Sequence, residues 1–345
     1  MRAQTYDGAA NMSGCYSGCK ARVQERQPLT FFFHCGSHAS NLVMQHAVTS
    51  CQLIRDSLQW LNELGVLMKR SGKYKAIFLT ICESTEDDNV HPTAIKPVCA
   101  TRWLCRLAAI QSAFDQYPAI LQSLQEMARG KTDTATKANG LLDRFQKGKV
   151  FLGLKMAAKP VAILEQLNSA LQAKSANVSG MLEAVKTSST HISAQRTDEA
   201  FHELFSAAEE KCEEYQLDPL EVPRIRVPPS RYTGEAAEYR PNSCEEYYRK
   251  QYFEFIDVIV TGLSDRYDPD KSGLAQYLKL ETLLTSGKVD KDVVSKYPEL
   301  DSLTLPIQLE MFKQTYKAES LHEQKSLIGV WNMQCAYCFP KCWFY

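Results

Sequence analysis

The sequence predicts an α+β chain that is predominantly α-helical. Apolar residues recur at threes and fours through most of its length, as Leu53, Ile54, Leu58, Leu61, Leu64 and Met68 do, which is the spacing of a buried helix face. One run, Leu29-Thr30-Phe31-Phe32-Phe33-His34, is instead aromatic and apolar on both faces, the pattern of a strand inside a covered sheet. No period of fixed length repeats along the chain, so a solenoid is not favoured.

Taken in order, small residues from Gly8 to Gly18 form a flexible lead-in, Cys19 to Arg26 a polar helical piece, and Pro28 bounds the aromatic strand. Helical spacing starts at Ser40, runs through Leu42, Val43 and Ala47 to Met68, and ends at Gly72. Glu83 to Asn89 reads as a surface loop, and Pro92 and Pro97 keep the chain extended up to Cys99. Leu104 to Met127 is helical again, with Pro118 marking a kink or break. From about Asp133 to Glu221 the pattern stays helical, with Pro160 at a first helical position. Pro219 to Pro241 interleaves prolines with Arg224, Arg226, Arg231 and Arg240 and is the best internal boundary. Helical spacing returns at Tyr248 to Leu263, Leu274 to Leu284 and Leu309 to Tyr316. Asp268 to Gly273 hints at a calcium loop but lacks a closing glutamate in register, Glu281 coming too late, and is read as a turn.

The 345 residues can bury a substantial core, and 40 basic against 40 acidic side chains give bulk charge no role in binding nucleic acid. A local basic groove is compatible with that balance. No run reaches the roughly 20 apolar residues of a membrane helix, and no basic-then-apolar signal opens the chain. Twelve cysteines spread through a chain of this length, without such a signal, read as mostly reduced thiols of an intracellular protein.

Three separated segments carry a family resemblance. Tyr6-Asp7-Gly8-Ala9-Ala10-Asn11-Met12-Ser13-Gly14-Cys15-Tyr16-Ser17-Gly18, then His34-Cys35-Gly36-Ser37-His38-Ala39-Ser40-Asn41-Leu42, then Thr101-Arg102-Trp103 resemble, in order, the transposase domain of hAT-superfamily elements. The closer likeness is to domesticated relatives that include zinc finger MYM-type proteins and the THAP-domain kinase-inhibitor repressor. It is dense over residues 4 to 128 and thinner to about 316. The resemblance implies a partial ribonuclease-H-like domain interrupted by a large all-helical insertion, a nuclear location, and an ancestral DNA transposase that cuts with three acids holding Mg or Mn. On that basis residues 1–50 are a partial ribonuclease-H-like segment, 51–316 the helical insertion with the helices after it, and 317–345 a divergent tail.

The resemblance maps the second acid onto Asp7, where a carboxylate beside a glycine turn can approach a divalent cation closely. The bland alternative is that Asp7 caps a turn and Asn11 or Ser13 caps the following helix. Cys35 and His38, a Cys-x-x-His pair, are a family signature of the junction between sheet and insertion. The same spacing supplies half of a zinc site, but His34, His46 and Cys51 form no second compact pair. Arg102 and Trp103 match the signature whose tryptophan handles DNA, the indole stacking on a base and the arginine pairing with phosphate; the alternative is a core anchor. The third acid falls within Leu305-Pro306-Ile307-Gln308-Leu309-Glu310-Met311-Phe312-Lys313, where either Gln308 occupies its position or Glu310 is the acid.

The first acid of the pattern belongs to a strand before Asp7, and the six residues ahead of Asp7 are too few to supply it. The family's DNA-binding zinc finger and dimerisation segment have no match either. The chain ends instead in Cys335-Ala336-Tyr337-Cys338-Phe339-Pro340-Lys341-Cys342, a possible zinc knuckle with His322 that is more simply an incidental tail. The leading expectation is a transposase-derived fragment inactive in DNA cleavage and strand transfer, with no cofactor retained and no membrane partner. The alternatives are a domesticated module that binds DNA or protein without chemistry, and an incomplete gene model of an active transposase.

Overall fold

The computed structural model describes residues 3–70, 72–84, 106–173, 177–224, 241–298, 300–301, 303–312 and 314. These are predominantly helical with one two-stranded parallel sheet, the balance that the apolar spacing predicts. They divide into two compact units, one drawn from residues 1–43, 166–189 and 261–345, the other from residues 44–165 and 190–260. Among the described residues no helix is long and apolar enough to cross a membrane.

In the first unit β1 (Ala3–Tyr6) pairs in parallel with β2 (Phe31–His34), Ala3 opposite Phe31 and Tyr6 opposite His34. Parallel neighbours need a crossover, here containing α1 (Ala10–Ser13) and α2 (Cys19–Arg26). The sequence reading misses β1, because four residues without an apolar run carry little strand signal. It places α2 correctly, and the lead-in from Gly8 to Gly18 proves to hold the turn of helix α1. The aromatic strand starts at Phe31, and its three phenylalanines are half-buried. Side-chain alternation sends Phe31 and Phe33 toward Tyr277, at ring separations of 6.0 and 4.9 Å, and Phe32 toward Tyr6.

After β2 the chain is helical: α3 (Gly36–Ser50), α4 (Gln52–Arg70), α5 (Gly72–Ser84), α6 (Arg106–Asp115), α7 (Tyr117–Ala128), α8 (Asp133–Phe145), α9 (Gly148–Leu171), α10 (Val178–Ser193), α11 (Asp198–Glu214), α12 (Cys244–Tyr267), α13 (Pro269–Ser272), α14 (Ala275–Ser286), α15 (Lys291–Val294) and α16 over residues 305–312. Gly72 opens α5 instead of ending the preceding helix, which closes at Arg70 with a basic last turn. Pro118 lies in the first turn of α7, so the expected break falls at Gln116. Pro160 is interior to α9, not at a helix start. Ala157, Val161 and Leu164 around it are buried, and this packing overrides the proline's local preference. The Asp268 to Gly273 segment is a capped turn: the Asp268 carboxylate accepts from the Asp270 and Lys271 amides, and Gly273 takes the left-handed φ of 79°.

Gly36, the first residue of α3, is where the three stretches of the first unit meet. A methyl group there would lie 3.2 Å from the Met181 sulfur, 3.7 Å from Leu171 and 3.8 Å from the Tyr267 ring. The Tyr267 hydroxyl donates to the Gly36 carbonyl at 2.6 Å, and burial pushes its pKa up, so it stays a donor. A second tie joins the later two stretches, where the buried Glu281 carboxylate accepts the Ser179 amide at 2.9 Å in the first turn of α10. Glu281, too late in sequence to close a calcium loop, thus caps a helix.

The second unit has its own helical core. α4 buries Ile54, Leu58, Leu61, Leu64 and Met68, the face that the spacing predicts. Tyr117 is fully buried, donates to the Phe145 carbonyl at 2.8 Å, and sits among the rings of Phe145, Phe151 and Tyr215. α9 approaches α4 so closely at Gly153 that a methyl group there would overlap the Ser57 hydroxyl and lie 3.1 Å from Leu53. Gly140 on α8, by contrast, has no described residue within 4 Å of where its side chain would be. Gly153→Leu should therefore lower stability by about 1–3 kcal/mol or more, whereas Gly140→Leu should leave it equal or higher. Urea denaturation of the two variants checks the contrast.

Candidate functional site

The candidate site lies where the two parallel strands end. Tyr6 closes β1 and is followed by Asp7; His34 closes β2 and is followed by Cys35. The Cys35 amide donates to the Tyr6 carbonyl at 2.9 Å, carrying the ladder one residue past the last strand pair. In open α/β sheets this carboxyl edge is where ligands collect, because the strands stop there and the loops diverge.

Asp7 is exposed, and its Oδ1 accepts the Ala9 amide at 3.1 Å. It therefore caps a turn, leading into α1 with Ala9 at the N-cap. Asn11 and Ser13 lie within α1 and do not cap the next helix, whose N-cap is Gly18. Ser13 instead donates to the Ala9 carbonyl at 3.2 Å. Gly8 faces His38: a methyl group there would lie 3.6 Å from His38 Nε2. The fold thus brings the Asp7 loop against the Cys-x-x-His turn. Glu310 is exposed on α16, whose other face buries Leu305, Leu309 and Phe312. Leu305 and Leu309 belong to a cluster with Leu283, Val293 and Tyr297, against which Phe31 packs at the start of β2. Gln308 is half-buried on the same helix. Arg102, Trp103, His322 and the cysteines from Cys335 to Cys342 lie outside the described residues, as do Pro92, Pro97, most of the loop after Glu83, and residues 225–240 of the Pro/Arg-rich stretch.

Among the described residues no group of three or more His, Cys, Asp or Glu side chains is gathered to hold a metal ion. The described cysteines, Cys35 among them, are free thiols. What the edge does gather is positive charge. Burial, then the charges of Lys20, His38 and Arg266, hold the His34 imidazole below its ordinary range. Lys20 reaches from α2 over the face of Phe32, 4.5 Å from the ring centre. Beside it an open groove of about 420 Å³ is lined by Lys20, Phe31, Phe32, Lys279 and Lys296, with Asp270 as its acid; the Lys296 ammonium donates to Gln276 at 2.8 Å. Ammonium groups gathered in this way suit phosphates better than they suit a hard cation.

The sequence reading finds Asp7, Cys35 and His38 here but misses Lys20, Arg266, Lys279 and Lys296. Each of those is an ordinary surface cation of its own element until the fold brings the elements together. No match was found in comparisons with protein families, curated proteins or solved structures.

His34 gives this electrostatic picture a direct readout. Its folded pKa lies below the unfolded value near 6.5, so protonating it costs stability; that contribution is intact above 6.5 and is lost as pH falls through the folded value. The expected result is that His34, followed by NMR, titrates below 6.5 and moves upward in Lys20→Gln. The midpoint should also rise when a polyanion binds.

Proposed function

We propose that this chain is a transposase-derived module of hAT-superfamily type, a partial ribonuclease-H-like segment carrying a helical insertion, that engages DNA without cutting or joining it. The observation that carries the reading is the meeting of two resembling motifs. Asp7 and Cys35-x-x-His38 follow the ends of adjacent parallel strands, with Gly8 against the His38 ring. Support also comes from the discontinuous first unit, since an all-helical unit of residues 44–165 and 190–260 interrupts it in sequence.

Two-metal chemistry requires several carboxylates around one pair of cations. Asp7 accepts an amide of its own turn, amid a basic edge, and Glu310 belongs to a helix packed toward the start of β2. That distribution favours holding a phosphate backbone over activating water. Lys20, His38 and Arg266 would supply the charge that meets the phosphates.

Two measurements separate these readings. Incubation with terminal-repeat DNA and magnesium or manganese should give no nicks or hairpins; robust cleavage abolished by Asp7→Ala would establish the active-transposase alternative. Binding to the same DNA, followed by anisotropy across a salt titration, should weaken steeply with salt. The double variant Lys20→Gln, Arg266→Gln should reduce that salt slope by about 2. A salt-independent or absent interaction removes the DNA reading.

A further inference from the structure

The second unit contains a groove that the transposase reading leaves unused. It lies between α4 and α8, has a volume of about 730 Å³, and is floored by Trp60, Val66, Leu67 and Leu141. Leu67 and Leu141 are buried, while Trp60 and Val66 are half-buried and show part of their surface to solvent. On α4 the lining residues recur at 60, 63, 66, 67 and 70, and on α8 at 134, 137, 140, 141 and 144. Each set is one face of its helix, so the trough runs along both helices for about 15 Å, or three helical turns. Gly140 keeps it open, because among the described residues nothing lies within 4 Å of where its side chain would be.

The rim is cationic. Among the described lining residues Arg70, Lys137 and Arg144 border the trough against the single acid Glu63, and Glu63 already accepts from Gln59 at 3.0 Å. None of the three cations is in an ion pair among the described residues. Arg144 lies over the Trp60 ring, 5.3 Å from its centre, and covers a face on which a nucleobase would stack. The groove therefore disfavours single-stranded nucleic acid. An apolar trough of this length with a basic rim is complementary to an amphipathic helix whose apolar stripe enters the trough and whose flanks are acidic.

We propose that the α4–α8 groove is a docking site for an acidic amphipathic helix of a partner protein. Leu and Met side chains of that helix would fill the space over Gly140 and Leu67. Its Glu or Asp side chains would meet Arg70, Lys137 and Arg144. This site stands on residues of the second unit alone, so it survives or fails independently of the DNA reading.

The test uses the full chain and a fluorescein-labelled peptide of Leu and Glu, about four turns long, with Leu at helical spacing. Three probes are compared: this peptide, its scrambled isomer of the same composition, and a thymidine oligonucleotide as competitor. The helical peptide should bind and the isomer should bind at least about tenfold more weakly. Lys137→Glu with Arg144→Glu should weaken binding at least about tenfold through charge, and Gly140→Trp should do so by filling the trough. All three positions are exposed, and circular dichroism is the check that the variants keep their helix content. No binding of the helical peptide, equal binding of the scrambled isomer, full competition by the oligonucleotide, or undiminished binding in both folded variants would each overturn the proposal.

Discussion

The first unit depends on the hydrogen bond from the Tyr267 hydroxyl to the Gly36 carbonyl, 231 residues apart in sequence. A methyl group on Gly36 would press on the Met181 sulfur at 3.2 Å and touch Leu171 and the Tyr267 ring at ordinary contact distance. The same residue starts α3 immediately beyond β2, so this contact fixes where the strand ends and the helix begins. Everything at the carboxyl edge inherits its position from that junction: His38 lies on the first turn of α3, and Gly8 can approach it only because β1 is in register with β2.

Around this junction the chemistry of the edge is set by which side chains the crossover and the last turn of α12 deliver. α2 carries Lys20 over Phe32, and α12 carries Arg266 within electrostatic reach of His34. A neutral chain can therefore hold a locally positive edge, as its equal totals of acids and bases allow. The cost is borne by His34, which is held neutral over a wider pH range than a free histidine.

Most of the helical fold is legible from apolar spacing. The buried face of α4, the bounds of α2 and the break before α7 follow from residues within one or two turns of each other. What escapes depends on distant partners. β1 exists as a strand because Phe31 to His34 pair with it, and Pro160 stays within α9 because its neighbours are buried. The site divides the same way. Asp7, Cys35 and His38 stand out as a motif, whereas Lys20, Arg266, Lys279 and Lys296 acquire meaning only when separate elements converge. Glu281, too late in sequence to close a calcium loop, finds its partner in an amide 102 residues earlier, which no local pattern shows.

The distance spanned by the Tyr267 to Gly36 bond also bears on how the protein is made. Ribosomes deliver the N-terminus first, so β1, β2 and their three phenylalanines emerge long before the helix that locks Gly36 in place. Closing so long a loop is entropically unfavourable, though the penalty grows only by about 0.6 kcal/mol per doubling of length. The second unit's first stretch, residues 44–165, can collapse during that interval through contacts close in sequence. Phe32 can meet Tyr6 and Lys20 at once, but the Tyr277 partner of Phe31 and Phe33 arrives only after translation has passed Tyr267, which leaves that face of the strand open to aggregation or to chaperones.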